Sequence, residues 1–300
     1  MIVATTGFFD GVHLGHKKVI EKLCALAKEK GLKSEVITFW PHPRSVLQQD
    51  AFNLRLLTTL EEKKALFKRF GVNRIRVIEF TKQFSKLSTE EFVRDYLIKK
   101  LGVSTLVIGY DHRIGHNPKQ KQEDMIAICK AQGLEVVRVE ENIIEGEIVS
   151  STKIRKRLEE GDVQGANKFL GYNYFLDGVV VKGNGLGRTI GFPTANVKLY
   201  APLKLTPQDG VYAVKVYVNR NEKVAYKGIC NIGYRPTIGN NNAKTIEVHI
   251  LNFDEDIYGL DIKVEFVLRM RSEKKFASLK ELKAQLEKDK NTAEALLMLS

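Results

Sequence analysis

The chain has 300 residues, of which 43% are apolar and 28% are charged, and its formal net charge is +12. This composition is typical of a globular protein with room for two domains, and no apolar run approaches the roughly 20 residues that a membrane span needs. The three cysteines are far apart and form no C-x-x-C pair, which argues against a disulfide framework or a zinc site and fits a reducing cytoplasm.

The first half of the sequence alternates short apolar runs with amphipathic stretches, a pattern that predicts βαβ units and a parallel sheet. The expected strands are Ile2–Thr6, Ser34–Trp40, Arg74–Phe80, Ser104–Tyr110 and Leu134–Val139. The first helix is expected over Lys17–Lys30 and ends at Gly31. Capping boxes that begin at Thr58 and Ser88 are expected to open the next two helices.

Unusual polar segments follow several of these strands. They read GFFDGVHLGH (7–16), PHP (41–43) and GYDHRIGHN (109–117), and VSSTKIR (149–155) comes after the last strand and opens a helix. Ligands of parallel sheets bind beyond the carboxyl ends of the strands. The sequence therefore predicts a ligand site at this edge of the sheet.

From about Phe175 the spacing of apolar residues changes, and short strand-like runs separated by turn residues predict a small antiparallel barrel. The runs are FLDGVVV, GVYAVKVYV, VAYKGICNI, TIEVHIL and LDIKVEFVLRM. A final helix is expected after Ser278, with Leu279, Leu282 and Leu286 on one face. The expected domains are residues 1–158 and 172–300, joined by a linker at 159–171.

The segment 7–16, called the first turn below, places three glycines at intervals of four and two histidines three apart just before a helix. Glycine permits close backbone approach, histidine can donate to an anion, and a helix N-terminus attracts negative charge. The segment is neither a Walker loop nor G-x-G-x-x-G. Histidines in such a pair are often structural, but the three glycines at a strand end favour an anion site.

These motifs make the sequence recognisable. The first turn resembles the phosphate-binding signature of the nucleotidyltransferase superfamily, and VSSTKIR resembles its second phosphate-binding segment. With GYDHRIGHN, GRTIGFPTAN, NIGYRPTIG and IEVHILNF, the chain resembles the bacterial bifunctional riboflavin kinase/FAD synthetases. The resemblance implies a Rossmann-like nucleotidyltransferase domain followed by a riboflavin kinase β-barrel. It also implies that ATP phosphorylates riboflavin to FMN and adenylylates FMN to FAD, with Mg²⁺ as the metal.

The resemblance also implies site residues in the first half. It assigns phosphate contacts to His13, His16 and Arg155. The expected nucleotide- and phosphate-binding set is Gly7, Phe8, Asp10, Gly11, Gly15, Asp111, Ser151, Thr152 and Lys153. One departure from the family pattern stands at 111–115, where His112 and Ile114 replace the aromatic residues of D-F-x-F-G. This departure leaves open how nucleotide and flavin bind there.

The kinase step requires a base, because a ribityl hydroxyl is a weak nucleophile until a base accepts its proton. A phosphate-binding loop is expected at Gly183, Gly185, Gly187 and Gly191. The resemblance assigns Mg²⁺ and nucleotide phosphates to Thr194 and Asn196, and the base to Glu247. Thr245, Glu247 and His249 are expected on one strand face.

Two alternatives remain open from the sequence. One is a single-function riboflavin kinase whose synthetase half is impaired by the change at 111–115. The other is a basic RNA-binding protein, for which Tyr212, Lys215 and Tyr217 would supply aromatic and cationic side chains. The enzyme interpretation predicts riboflavin, FMN and ATP as partners and no membrane association. It assigns no oligomeric state.

Overall fold

A computed structural model describes residues 1–47, 54–117, 119–183, 185–219, 221–234 and 244–298. The chain divides into two compact units, Met1–Ser151 and Thr152–Ser300. In the described part of the chain, every helix is too short or too polar to cross a membrane. The second part of the NIGYRPTIG motif, from residue 235 onward, lies outside the described residues.

The first unit is built on a five-stranded parallel sheet with the order β3-β2-β1-β4-β5. Its strands are β1 Ile2–Thr6, β2 Lys33–Trp40, β3 Arg74–Glu79, β4 Val103–Ile108 and β5 Glu135–Arg138. Its helices are α1 Leu14–Glu29, α2 Pro43–Val46, α3 Leu60–Arg69, α4 Thr89–Glu91 continued by a π-helix over Phe92–Lys100, and α5 Gln122–Ala131. A short hairpin follows, β6 Ile143–Ile144 and β7 Glu147–Ile148. The strand order reverses between β1 and β4, and that reversal places a crevice at their carboxyl ends.

Helix α1 shows why the sequence pattern works here. Its buried side chains are those expected from the helical spacing: Val19, Ile20, Leu23, Leu26 and Ala27. The helix begins at Leu14, three residues earlier than predicted, because the His13 side chain caps it. It ends before Gly31, whose φ of +64° suits glycine.

The two predicted capping boxes have different outcomes. The box at Ser88 is confirmed, with the Glu91 amide donating to its hydroxyl at 3.2 Å. The box at Thr58 is wrong by one residue, because Thr59 caps α3 and exchanges hydrogen bonds with Glu62. The Thr58 hydroxyl is buried, and it accepts a hydrogen bond from the Gly11 amide instead.

The second unit is a closed antiparallel barrel with the order β10-β11-β12-β9-β8-β13. The barrel strands are β8 Phe175–Val181, β9 Ala195–Leu199, β10 Gly210–Val218, β11 Tyr226–Tyr234, β12 Lys244–Ile250 and β13 Asp261–Arg271. Helix α6 (Ser151–Glu159) begins at the last residue of the first unit. The other helices are α7 Val163–Leu170, α8 Leu186–Thr189 and α9 Leu279–Leu296. The predicted fold class, parallel sheet then barrel then helix, is confirmed.

Two features of the barrel unit differ from the sequence analysis. Strand β9 was not predicted, because a five-residue strand directly after a glycine-rich segment shows little alternation of apolar and polar residues. In the structure it closes the barrel by pairing with β12 on one side and β8 on the other. In α9, Leu279 is 56% exposed and does not lie on a buried face. The helix buries Asp289 and Ala293 instead, and Arg271 of β13 holds the Asp289 carboxylate at 2.7 Å.

The pairing of β8 with β9 generates a stability prediction. A Cβ atom at Gly178 would lie 2.4 Å from the backbone oxygen of Lys198, so Gly178→Ala should force the two strands apart. We expect a loss of about 1–3 kcal/mol in the free energy of unfolding, which is the usual cost of overpacking. Denaturant titration measures it, with Lys198→Ala, an exposed side chain of the same pair, as the control. An unchanged midpoint for Gly178→Ala would contradict the packing described.

Candidate active sites

The first turn has a strained backbone. Three of the four residues from Phe9 to Val12 adopt positive φ: Phe9 at 52°, Gly11 at 80° and Val12 at 37°. This region is natural for glycine but costly for a β-branched residue such as valine. Strain of this kind persists only where surrounding contacts hold the backbone, and it is concentrated at functional sites.

Those surrounding contacts come from the segment that precedes and opens α3. The buried Asp10 carboxylate accepts hydrogen bonds from the backbone amides of Leu57 and Thr58, each at 3.0 Å. In return, the Gly11 amide donates to the Thr58 hydroxyl at 2.9 Å. Asp10, which the sequence analysis placed among the nucleotide-binding residues, thus directs its carboxylate to the backbone that anchors the turn.

The two histidines of the turn lie against each other. The amide of His16 donates to Nδ1 of His13 at 3.4 Å, and the two rings stack with centroids 3.6 Å apart. Nδ1 of His16 is buried and has no hydrogen-bond partner among the described residues. A buried polar atom without a partner is costly, and native structures keep such atoms mainly where function needs them.

The His16 imidazole is held in its neutral form. Burial lowers its pKa well below the usual value, and the charges of His13 and Lys63 lower it further. A neutral imidazole carries one N–H donor and one acceptor nitrogen. At neutral pH His16 can therefore donate a hydrogen bond to an anion without itself carrying a charge.

Sequence reasoning missed Lys63 in α3. Its side chain is fully buried, its Nζ donates to the backbone oxygen of Phe8 at 2.9 Å, and it lies 3.6 Å above the centre of the Phe8 ring. Burial lowers the pKa of this amine to about 8, although Asp10 opposes that shift. Lys63 stands three and four residues before the buried Leu66 and Phe67, so helical spacing alone could have indicated a lysine on the inner face.

The second predicted phosphate segment begins beside the first turn. The Ser151 hydroxyl donates to the backbone oxygen of Asp10 at 2.8 Å. A Cβ atom at Gly15 would lie 3.2 Å from the His13 ring and 3.7 Å from the backbone oxygen of Val149, so this approach requires a small residue. The remaining predicted residues of the segment follow on the first turns of α6: Thr152, Lys153 and Arg155.

An aromatic cleft of about 250 Å³ opens beside the first turn. Its lining comprises Thr6, Gly7, Phe8, Phe39, Pro43, Phe80, Phe84, Ser85, Leu87, Phe92, His112, Arg113, Ile114 and Gly115. Nε2 of His112 lies 3.0 Å from the Thr6 hydroxyl, and burial lowers the pKa of this imidazole to about 4. Ile114 is 6% exposed and also belongs to the core, whereas Asp111 is exposed. Both departures from the family pattern therefore line this cleft.

In the barrel unit, strand register brings the predicted kinase residues together. Glu247 of β12 lies directly opposite Asn196 of β9 on one side and Asn231 of β11 on the other. A Cβ atom at Gly183 would lie 2.1 Å from Asn196 Nδ2, and one at Gly187 would lie 2.2 Å from the backbone oxygen of Phe192. The glycine-rich segment thus packs closely against the Asn196 strand.

The other predicted residues of this unit occupy the same region. Thr194 immediately precedes β9, and its hydroxyl would lie 3.5 Å from a Cβ atom at Gly187. Gly185 and Gly191 adopt φ of +71° and +86°, which explains why the bends there use glycine. His249 binds the backbone oxygen of Pro193 through Nδ1 at 2.8 Å, so it supports the segment that enters β9.

Two further features of the barrel site escaped the sequence analysis. A cleft of about 370 Å³ beside Asn196 and Thr245 is lined by three lysines, Lys182, Lys198 and Lys244. On the side of Asn231, the Glu273 carboxylate accepts a hydrogen bond from the Asn231 amide nitrogen at 3.3 Å. The lysines come from three different strands or loops, so no local motif could have revealed them.

Comparison with known proteins agrees with this arrangement. Residues 1–153 match the family model for FAD synthetase, and residues 170–297 match the model for riboflavin kinase. A Bacillus subtilis (strain 168) protein named bifunctional riboflavin kinase/FMN adenylyltransferase is 42% identical over 97% of this chain and 91% of its own length. The chain belongs to the bifunctional riboflavin kinase/FMN adenylyltransferase family.

Other members and structures are consistent with that membership. The Escherichia coli (strain K12) family member is 37% identical over 97% of this chain and 91% of its own length. A Streptococcus pneumoniae crystal structure, described as a macrolide-efflux protein, is 32% identical and has a TM-score of 0.88. It covers 98% of this chain and 93% of its own.

The family carries both activities expected from the sequence, with riboflavin, FMN and ATP as substrates and FAD as the final product. The single-function and RNA-binding alternatives are therefore set aside.

The lowered pKa values of His16 and His112 generate a pH prediction. Because both shifts favour the neutral imidazole, neither ring should gain a proton as the pH falls from 8 to 6. Histidine ring signals followed by NMR should show both imidazoles neutral throughout this range. The same residues in the denatured chain, which should titrate near the unperturbed pKa of about 6.5, provide the control. A folded-state titration of His16 between pH 6 and 8 would contradict the burial described.

Proposed function

We propose that adenylyl transfer takes place at the first turn and that riboflavin phosphorylation takes place where Glu247 faces Asn196. The observation that supports the first assignment is the buried Nδ1 of His16, which finds no hydrogen-bond partner in the described part of the chain and lies beside a strained turn at a strand end. The second rests on the register that sets a carboxylate opposite an amide against a glycine-rich segment. The first turn lies within residues 1–153, which match the FAD synthetase model, and Asn196 and Glu247 lie within residues 170–297, which match the riboflavin kinase model.

Adenylyl transfer joins two anions. An oxygen of the FMN phosphate attacks the α-phosphorus of ATP, and the bond from that phosphorus to the bridging oxygen of pyrophosphate breaks. The FMN phosphate is already largely ionised at pH 7, since its second pKa is about 6, so the enzyme supplies no base. Its contribution is positioning and stabilisation of charge on the leaving group.

The residues of the first turn suit this task. His16 offers a neutral N–H donor, and His13 and His16 stand at the N-terminus of α1, where the helix dipole favours negative charge. Ser151 begins α6 next to the turn, and Arg155 follows one helical turn later. We infer that these groups hold the phosphates of ATP and neutralise the pyrophosphate as it leaves.

The aromatic cleft provides a place for the flavin of FMN. Planar aromatic rings prefer edge or offset contacts with phenylalanine, and ligand clefts combine such apolar walls with a few polar groups. Phe8 belongs both to the first turn and to the cleft, so a flavin seated there would have its phosphate close to the turn. His112, neutral and already bound to Thr6, is the imidazole that this chain offers to the flavin.

In the kinase site Glu247 accepts the proton of the ribityl hydroxyl as its oxygen attacks the γ-phosphorus of ATP, and ADP leaves. Thr194 and Asn196 would supply oxygen ligands for Mg²⁺, which suits an ion that takes few protein ligands and completes its shell with phosphates and water. When bound, the ion draws charge from the transferred phosphoryl group. Lys182, Lys198 and Lys244 line the adjoining cleft, and we infer that they hold the triphosphate.

We also infer that the family's two activities divide between domains at residues 1–158 and 172–300, with 159–171 as their linker, and that the enzyme works in the cytoplasm. The linker contains helix α7, whose buried apolar residues make it a folded segment rather than an extended one. The absence of a paired-cysteine motif from the sequence supports a reducing compartment.

Replacing His16 tests the first assignment. His16→Ala removes a donor that acts on the transition state, so FAD formation from FMN and ATP should slow by about 10²–10³-fold. FMN formation from riboflavin should remain unchanged, which makes the kinase rate an internal control for folding. Normal FAD formation by this variant would return the turn to a structural role.

Replacing Glu247 tests the second assignment. Glu247→Gln keeps the size of the side chain but cannot accept the proton, so FMN formation should fall by about 10²–10⁴-fold while FMN adenylylation persists. The matched control is Glu255→Gln, an exposed carboxylate of the same unit, which should leave both rates unchanged. Near-normal FMN formation by Glu247→Gln would remove Glu247 from the role of base.

A further inference from the structure

Lys63 is an unusual side chain because a lysine is rarely buried completely without a carboxylate partner. Its relative exposure is 0%, and its hydrogen bond within the described part of the chain goes to the backbone oxygen of Phe8. Around the ammonium stand the Phe8 ring at 3.6 Å and the Trp40 ring at 5.9 Å. Such burial of a charge is costly, so its retention requires an offsetting interaction.

The interaction that Lys63 makes is with the first turn itself. Phe8 is the residue just before Phe9, where φ becomes positive. Its backbone oxygen accepts hydrogen bonds from Lys63 Nζ at 2.9 Å and from the Thr38 hydroxyl at 3.4 Å, so the ammonium is the closer and the charged donor. Asp10 and Gly11 fasten the other side of the turn to Leu57 and Thr58. The strained turn is therefore held from the α3 side at both ends.

Electrostatics connect Lys63 to the same place. Its charge is near enough to help lower the pKa of His16, and Asp10 is near enough to raise the pKa of Lys63. The buried ammonium thus adds positive charge beside the His16 imidazole, and positive charge favours the binding of anions.

We propose that Lys63 is a positioning residue for adenylyl transfer: its buried ammonium holds the Phe8 carbonyl and so fixes the first turn in the geometry that presents His13 and His16 to the nucleotide. The inference rests on the assignment of adenylyl transfer to this turn, which His16→Ala tests separately. Because the Lys63 side chain is fully buried and donates to the backbone of the turn, the role proposed for it is to position other groups rather than to react.

The test compares Lys63→Met, Lys63→Arg and Lys64→Met in the full chain. Methionine replaces the unbranched stem of lysine without its terminal ammonium, so it can neither donate a hydrogen bond nor carry charge, whereas arginine does both. Lys64 is the adjacent lysine on α3, partly exposed and paired with Glu61, so Lys64→Met controls for the loss of a charge on this helix. For each variant the measurements are kcat and KM for FAD formation, the rate of FMN formation, and the melting curve.

We expect Lys63→Met to lower kcat for FAD formation by about 10–10²-fold, the effect of a small misplacement of catalytic groups, with a smaller change in KM. Lys63→Arg should recover part of that loss, and Lys64→Met should lose nothing. FMN formation should be unchanged in all three. If Lys63→Met lowers the melting temperature but leaves kcat intact where it is folded, Lys63 is structural only and the proposal fails.

If Lys63→Met does not fold, the pH dependence of kcat for FAD formation tests the proposal instead. The titratable groups about Lys63 are Asp10 on the turn and His16 on α1, and β2 contributes Trp40, which does not titrate. Since the pKa of Lys63 is about 8, kcat for FAD formation by the natural chain should fall as the pH rises through that value. In Lys63→Arg the fall should move to higher pH. Identical pH profiles for the two proteins would overturn the proposal. If His16→Ala loses FAD formation while the Lys63 variants keep it, the proposal for Lys63 fails but the assignment of adenylyl transfer to the first turn stands.

Discussion

The hydrogen bonds between the first turn and the start of α3 are the constraint on which the proposed adenylyl-transfer site depends. A turn with positive φ at Phe9 and Val12 would relax to ordinary backbone angles if nothing held it. Asp10 and Lys63, one anion and one cation, hold it through hydrogen bonds with backbone groups. This arrangement fixes the positions of the two histidines that follow. The proposed chemistry therefore depends on buried charged residues that do not themselves react.

The two proposed sites meet different chemical demands, and their residues differ accordingly. The attacking group of adenylyl transfer is already an anion, so the first site offers donors and cations and needs no base. The attacking group of the kinase is a neutral hydroxyl, so the second site needs a carboxylate, and Glu247 stands between two asparagines on adjacent strands. Close-packed glycines serve both sites by letting backbone approach where a side chain would collide, as Gly15 and Gly183 show.

Most of the fold could be predicted from the sequence because its signals are local. The apolar face of α1, the strands of the parallel sheet and the barrel strands with clear alternation were all visible in their spacing. Strand β9 was missed because it is short and its pairing with β12 joins residues distant in the chain. The capping residue of α3 was misplaced by one because Thr58 is occupied by Gly11, a contact that no local pattern encodes.

The same distinction, between local sequence signals and contacts distant in the chain, applies to the candidate sites. Motif residues such as His16 and Glu247 could be found from the sequence and the family resemblance. Lys63, Glu273 and the three lysines of the barrel cleft could not, because their proximity to the sites follows from tertiary packing alone. His112 and Ile114 were recognised as departures, but only the structure shows that both line the aromatic cleft.

One chain carries both steps, with ATP as the donor in each. The most direct measurement incubates the purified full chain with riboflavin, ATP and Mg²⁺ and separates the flavins over time. FMN should rise first and then decline as FAD accumulates, and FMN and ATP without riboflavin should also yield FAD. Accumulation of FMN with no FAD, even when FMN is supplied directly, would contradict it.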